Sequence, residues 1–306
     1  MRSLRRAAAG GRARQRGMAF LLVMWLLALL AVLLGGFATL ARSERLLARH
    51  LYDGTRAGLA AEAGLHRAVF AMSIGDPTLR WVPDGRPYVF GFDDAEVEIR
   101  ITDESGKIDL NSADVGLLSR FFQGFGLDLM TADALAAAIG DWRDPDDLVS
   151  PNGAEIMEYE AAGRDYGPRN APFELIDEVQ QVLGMDYELY RRVAPFLTLY
   201  SGMGLPNAAF APAEVLRAMP GMDAATAEQL LLARHAWNPN GSQGPVQLPD
   251  GTPLVVAGGT GTYTIRSRAR LPNGAWSELE AVIRLGGAPV SGLAFSVLRW
   301  QDGALP

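Results

Sequence analysis

The chain has 306 residues, a formal net charge of −7, 49% hydrophobic residues and no cysteine. That length accommodates an anchor and two globular domains, and the missing cysteines exclude a disulfide framework, zinc–thiolate sites and thiol catalysis while leaving the redox compartment open. Setting aside the six arginines of residues 1–17 takes the balance from −7 to −13 for residues 18–306, the wrong sign for a polyanion-binding domain.

Residues 1–17 carry Arg2, Arg5, Arg6, Arg12, Arg14 and Arg16 and no acid. Residues 18–41 then run MAFLLVMWLLALLAVLLGGFATLA without a charge. Roughly 20 apolar residues cross a bilayer core, and a run without a polar stripe is not an amphipathic core helix. The sequence predicts a transmembrane segment over 18–41, with the basic N-terminus cytoplasmic and all that follows on the far side. A cleaved signal peptide is the competing reading, but the run exceeds an ordinary h-region and no small-x-small cleavage site follows it.

The glycine lies before the apolar run, at Arg16-Gly17-Met18. Here the chain resembles the type IV pilin and pseudopilin superfamily. The resemblance implies that a prepilin peptidase cuts after Gly17 and that Met18 becomes a methylated N-terminus. Most members carry a glutamate at mature position 5, where this chain has Leu22. A carboxylate inside a bilayer is costly without a partner; in the superfamily that partner is a neighbour's N-terminal amine. A subunit lacking it suits the end of a fibre.

Residues 43–74 contain no proline and place Leu46, Leu47, Leu51, Leu59, Leu65, Val69 and Phe70 at loose three- and four-residue spacings, predicting an amphipathic helix. Gly75-Asp76-Pro77 ends it. One long spine over 18–74 is expected; two helices hinged near Gly35-Gly36 or Gly54 is the alternative. A strand follows at 95–102, with Val97, Ile99 and Ile101 on one face and Glu96, Glu98 and Arg100 on the other, preceded by a second around 88–92. Alternation resumes only at 263–271, with Arg266, Arg268 and Arg270 outward. Pro272-Asn273-Gly274-Ala275 supplies a hairpin turn. The return strand sets Leu279, Ala281 and Ile283 inward and Glu278 and Glu280 outward, and a last strand is predicted at 294–300. Arginines and glutamates on the outer face are expected to pair across strands.

The intervening residues read as helical and repeat weakly. Ile176–Asp186 (IDEVQQVLGMD) matches Ala213–Asp223 (AEVLRAMPGMD) at an offset of 37, and 111–122 forms a looser third copy. Helix, glycine turn and second helix resemble a helix-hairpin-helix unit. In DNA-binding versions the hairpin N–H groups approach a phosphate; here Asp128, Asp186 and Asp223 follow the hairpins and would repel one. Packing is the expected purpose.

The cluster with site-like chemistry is Asp141, Asp144, Asp146 and Asp147, on a loop broken by Pro145 and followed by Asn152 and Glu155. Four aspartates in seven residues repel one another unless solvated or bridged by a cation. Calcium takes six to eight oxygens in irregular loops, whereas zinc would need nitrogen or sulfur ligands absent nearby. The spacing is not that of an EF-hand, and a solvated acidic loop capping the next helix is the alternative. No nucleophile accompanies these carboxylates, and His50, His66 and His235 lie far away in sequence.

The phrases DESGKIDLN (103–111), IGDWRDPDD (139–147), YGPRN (166–170), PFELIDE (172–178) and VAPFLTLYS (193–201) look like the K-type minor pseudopilin family of type II secretion systems. The resemblance implies an α+β fold: an N-terminal transmembrane and spine helix, then a pilin-like α/β domain whose antiparallel sheet is interrupted by an inserted all-α, helix-hairpin-helix-like domain. The expected divisions are a prepilin leader at 1–17, a transmembrane segment at 18–41, the spine helix and first strands at 42–103, the insertion at 104–240 and the remaining strands at 241–306. It also implies structural calcium, for which the residues offered are Asp141, Asp144, Asp146, Asp147 and Glu155. It further implies no enzymatic activity, an inner-membrane, single-pass location with a periplasmic C-terminal domain, and a tip complex with minor pseudopilins I and J that starts the fibre and supports protein export. Leu205-Pro-Asn-Ala-Ala-Phe210 departs from the family's Asn-x-Asn-Thr run, so no site is rested on it. Two other readings remain: a membrane-anchored DNA-uptake receptor using the hairpins, and a tethered metallohydrolase using the aspartates.

Overall fold

The computed structural model describes residues 16–76, 78–237, 246–254, 259–286 and 294–303. Of the expected leader, residues 1–15 lie outside the described residues. Helix α1 is continuous from Arg16 to Ser73, and Gly35, Gly36 and Gly54 do not interrupt its hydrogen bonding. The chain divides into a unit ending at Arg56 and a second beginning at Ala57. In the first, the apolar side chains from Met18 to Leu40 stay exposed, Leu22 at 69%. A helix satisfies its own backbone polar groups, so such a surface suits lipid. One apolar helix is thus long enough to cross a membrane.

In the second unit the last turns of α1 lie on an antiparallel sheet. Its strands are β1 (Asp84–Phe92), β2 (Ala95–Asp103), β5 (Thr262–Arg270), β6 (Trp276–Leu285) and β7 (Phe295–Asp302), in the spatial order β1-β2-β5-β6-β7. Inward Val97, Ile99, Ile101, Ile265, Ala269, Leu279, Ala281 and Ile283 form one core with Ala57, Ala60, Ala61, Leu65, Ala68, Val69 and Met72 of α1. This corrects the expected helix face. Leu46, Leu47, Leu51, Leu59 and Phe70 are exposed, and only Leu65 and Val69 of the predicted set are buried. The alanines at three- and four-residue spacing make the buried stripe, because small side chains let a helix approach a sheet closely.

On the outer face Arg266 pairs with Glu280 and Arg268 with Glu278, each at 2.6 Å, as the alternation predicted. These pairs are partly exposed, worth about 0–1 kcal/mol each.

Strands β2 and β5 are neighbours in the sheet, with Asp103 opposite Tyr263. Everything between them is an insertion that leaves and re-enters at one place. It contains β3 (Ile108–Asp109), α2 (Val115–Gly124), α3 (Leu129–Arg143), α4 (Ile156–Ala161), α5 (Tyr187–Val193), β4 (Leu197–Thr198), α6 (Ala213–Ala218) and α7 (Ala224–Ala236). These elements share a second hydrophobic core around Leu117, Phe121, Phe122, Leu135, Ile139 and Leu216. Leu254 is buried in that core, with Val246 and Leu248 packed against it. The expected boundary at 240 therefore falls too early; packing moves it beyond 254, before β5.

The repeated hairpins have a common build. Gly126, Gly184 and Gly221 adopt positive φ (98°, 92° and 74°). Two residues on, Asp128, Asp186 and Asp223 cap α3, α5 and α7 by accepting from the N–H of Thr131, Leu189 and Thr226. Each carboxylate thus satisfies one N–H at the start of the second helix of its hairpin. The first limb of the middle hairpin, Ile176–Gln181, is a 3-10 helix rather than the expected α-helix. The parallel pair β3–β4 was not expected from the sequence, two residues being too short to show alternation.

Candidate metal centre

The five predicted carboxylates lie along the segment where α3 ends and α4 begins. Asp141 lies on the last turn of α3 and is fully buried; Asp144 is the residue that closes that helix. Asp146 accepts from the Leu148 N–H at 2.9 Å, and Asp147 from the Asn170 side-chain amide at 2.7 Å. Glu155 caps α4 and is 4% exposed, its own N–H donating to Glu158 at 2.9 Å. The loop returns because Asn152 takes positive φ (65°) and Gly153 passes against Asp141. A Cβ on Gly153 would stand 2.0 Å from Asp141 Oδ2.

Three carboxylate oxygens here are buried without a hydrogen-bond partner: Asp141 Oδ1, Asp144 Oδ1 and Glu155 Oε1. Burial, then the charges of Asp141, Asp144, Asp147 and Asp146, pushes Glu155 up to about 7. Burial and the charges of Asp146 and Asp141 also raise Asp144. Arg143, adjacent in sequence, offsets the charge of Asp144 only in part. Its guanidinium donates to the carbonyls of Leu110 and Ala113, tying α3 to the segment before α2. Among the described residues no Arg or Lys forms an ion pair with any of the five carboxylates.

Orphaned, mutually repelling, oxygen-only donors fit a hard cation. Among the described residues, however, no three carboxylates or imidazoles converge as a closed ligand sphere would. The sequence reading missed Asn170, which also takes positive φ (51°) and whose Oδ1 is buried without a partner beside Asp147. It lies within the Tyr166–Asn170 phrase, but nothing there points back 23 residues to the aspartates. Asp109, outside the cluster, has a structural role. Asp109 accepts from Asn111, Ser201 and Gly202, and the Asn111 side chain clamps the backbone of Phe173.

Residues 100–202 match the family described as type II secretion system (T2SS), protein K. A type II secretion system protein K from Klebsiella pneumoniae is 29% identical over 207 residues, covering 60% of this chain and 62% of the relative. The one from Aeromonas hydrophila is 28% identical over 211 residues, covering 60% and 63%. Over its middle portion the chain is thus similar to this protein K family. It spans less than two thirds of those relatives' length. The fold is similar to a chain from the crystal structure of the GspK-GspI-GspJ complex of the enterotoxigenic Escherichia coli type 2 secretion system. The TM-score is 0.54 at 20% identity, over 86% of this chain and 99% of that one. The matched region includes all five carboxylates and Asn170.

Gly153 permits a test that removes no donor. Gly153→Ala forces Asp141 aside, since side-chain oxygens cannot share space with a Cβ at 2.0 Å. The expected result is at least a tenfold loss of calcium affinity, the size seen when support of a ligand is lost. Unchanged calcium binding, measured by titration with a fluorescent competitor chelator, would separate Asp141 from the metal.

Proposed function

We propose that this chain is a minor pseudopilin that caps the tip of a type II secretion pseudopilus and starts its assembly. The observation that carries the reading is the large insertion between adjacent strands β2 and β5, on a head that begins with the apolar helix α1. A head carrying that extra helical core obstructs a further subunit stacked above it. Leu22 supports the same position, since it offers no carboxylate to the amine of a subunit already in place. The GspK-GspI-GspJ complex, whose fold is shared, supports minor pseudopilins I and J as partners. In this reading the protein is a structural subunit rather than an enzyme, anchored in the bacterial inner membrane through 18–41. Its N-terminus is cytoplasmic and its C-terminal domain periplasmic.

Calcium belongs to the proposal as a structural ion. Asp141, Asp144 and Glu155 would hold it through their unpartnered oxygens, with Asp146 and Asp147 beside them. The bound ion would supply charge neutralisation, allowing the loop between α3 and α4 to be buried as carboxylates. A catalytic metal has less support, because the family resemblance over residues 100–202 is to a secretion-system component.

Processing is the experiment that tests the first step. A prepilin peptidase is expected to cut between Gly17 and Met18, leaving a methylated Met18 detectable by mass spectrometry of the mature N-terminus. Gly17→Ala should accumulate as unprocessed chain in cells carrying the peptidase. Normal maturation of that variant would remove the pseudopilin assignment of the N-terminus.

A further inference from the structure

The outer face of the sheet is not uniformly paired. Arg100 on β2 lies directly opposite Arg266 on β5, and Arg266 opposite Glu280 on β6. Like charges directly across a strand pair are unfavourable. Glu280 is taken by two arginines, since Arg299 from β7 also bonds to it. Arg100 is left with an exposed contact to Glu98 on its own strand and a 3.4 Å approach to the Gly85 carbonyl. Arg299 Nε is buried without a partner. Lys107, the chain's single lysine, stands at the same end of this face.

These four cations line one cleft of about 260 Å³. Its floor is the outer sheet face and its roof is the insertion, through Ile176, the Ala194–Phe196 turn and Pro212. A second cleft of about 240 Å³ adjoins it, sharing Arg100 and Arg266 and continuing to Arg268 between Glu98 and Glu278. Four basic side chains therefore meet at the seam between the two cores, with apolar walls beside them, Lys107 among them being paired with Glu104.

We propose that this seam binds a carboxylate-bearing peptide segment, an Asp or Glu side chain flanked by an apolar residue, from another protein. The guanidinium fork matches a planar carboxylate in a two-point contact. Arg100 and Arg299 have the unspent donors to make it. A carboxylate between Arg100 and Arg266 also relieves their mutual repulsion. Phe196, Ile176 and Pro212 take the neighbouring apolar side chain. Glu280 selects against a dianion, since a phosphate would bring a second negative charge beside a carboxylate. The inference does not rest on the tip position or on the calcium site.

The test uses the full-length chain in detergent, labelled with nitrogen-15 in its arginines, and follows the Nε–Hε resonances. The probes are acetyl-Phe-Glu-Leu-amide, acetyl-Phe-Gln-Leu-amide and inorganic phosphate. The Glu peptide is expected to shift the resonances of Arg100 and Arg299, and the Gln peptide to bind roughly tenfold more weakly, the worth of a hydrogen bond to a charged group. Arg100→Gln and, separately, Arg299→Gln each reduce affinity for the Glu peptide by about the same factor. Arg270→Gln, an outward arginine on the same sheet away from the cleft, leaves it unchanged. Equal binding of the two peptides, tighter binding of phosphate, no shift with any probe, or full affinity in both cleft variants would each overturn the proposal. The two-peptide comparison on the unaltered protein needs no variant to fold.

Discussion

Glu104→Ala is expected to destabilise the domain by about 3–5 kcal/mol, the cost of leaving a buried charged partner uncompensated. Glu104 is 1% exposed and sits in the 3-10 turn Glu104–Gly106, where the chain leaves the sheet for the insertion. Its carboxylate accepts from Lys107 at 2.6 Å and from the hydroxyls of Thr198 and Thr264. Thr264 is on β5, Thr198 on β4 and Lys107 just before β3, so one side chain joins the entry, the middle and the exit of the insertion. Beside it Asp103 accepts from the Thr260 N–H and hydroxyl at 2.6 and 2.7 Å, closing the same seam. Removing Glu104 alone leaves Lys107 without its carboxylate, holding only the Thr264 hydroxyl at 3.1 Å, and deprives Thr198 of its acceptor. Replacing Glu104 and Lys107 together by methionine removes both charges and is expected to recover most of the loss. Urea unfolding of the two variants decides it. A single variant as stable as the parent would mean that the seam is not held by this carboxylate.

Calcium is expected to raise the melting temperature of the full chain by about 5–10 °C. A ligand at 100 times its dissociation constant stabilises by about 2.7 kcal/mol, and about 1 kcal/mol moves the midpoint of a protein this size by roughly 2–4 °C. The effect carries a pH signature. Without metal, Glu155 is pushed up to about 7 from an ordinary 4.5. Between those values the folded chain keeps a proton that the unfolded chain has released. Stability of the metal-free protein therefore falls as pH rises through that window and levels off above it. Calcium competes with the same proton, so its stabilising increment should grow over the same range and be larger at pH 8 than at pH 5. Melting curves with calcium or chelator at both values check this. An unchanged midpoint at pH 8, with no metal by elemental analysis, would remove calcium from the account.

How much of this was legible in the sequence follows from the range of each interaction. Strands β2, β5 and β6 could be read because alternation is local and their charged faces are unambiguous. The face of α1 was misread because leucines were weighted over alanines. At a helix–sheet contact the small residues at Ala57, Ala61 and Ala68 decide the approach, while Leu59 and Phe70 point away. The acidic loop was legible as a cluster. That Arg143 would spend its charge on carbonyls 30 and 33 residues away was not. Asn170 and Glu104 were missed for a similar reason: Asp147 lies 23 residues from Asn170, and Thr198 and Thr264 lie 94 and 160 residues from Glu104, distances that no local pattern records. The work of the aspartates after the hairpin glycines as helix caps emerged only from the N–H donors they face.

Position in the assembled fibre is the central claim, and disulfide mapping tests it most directly. Because the chain has no cysteine, single cysteines can be placed at Leu46 or Leu51, exposed on α1, and at exposed positions of the insertion such as Met130. These are combined with cysteines on the other pseudopilins of assembled fibres. The account predicts one copy per fibre, cross-linked through α1 to the minor pseudopilins I and J, with no pseudopilin captured above the insertion. Repeated copies along the shaft, with pseudopilins cross-linked both below the helix and above the insertion, would contradict it.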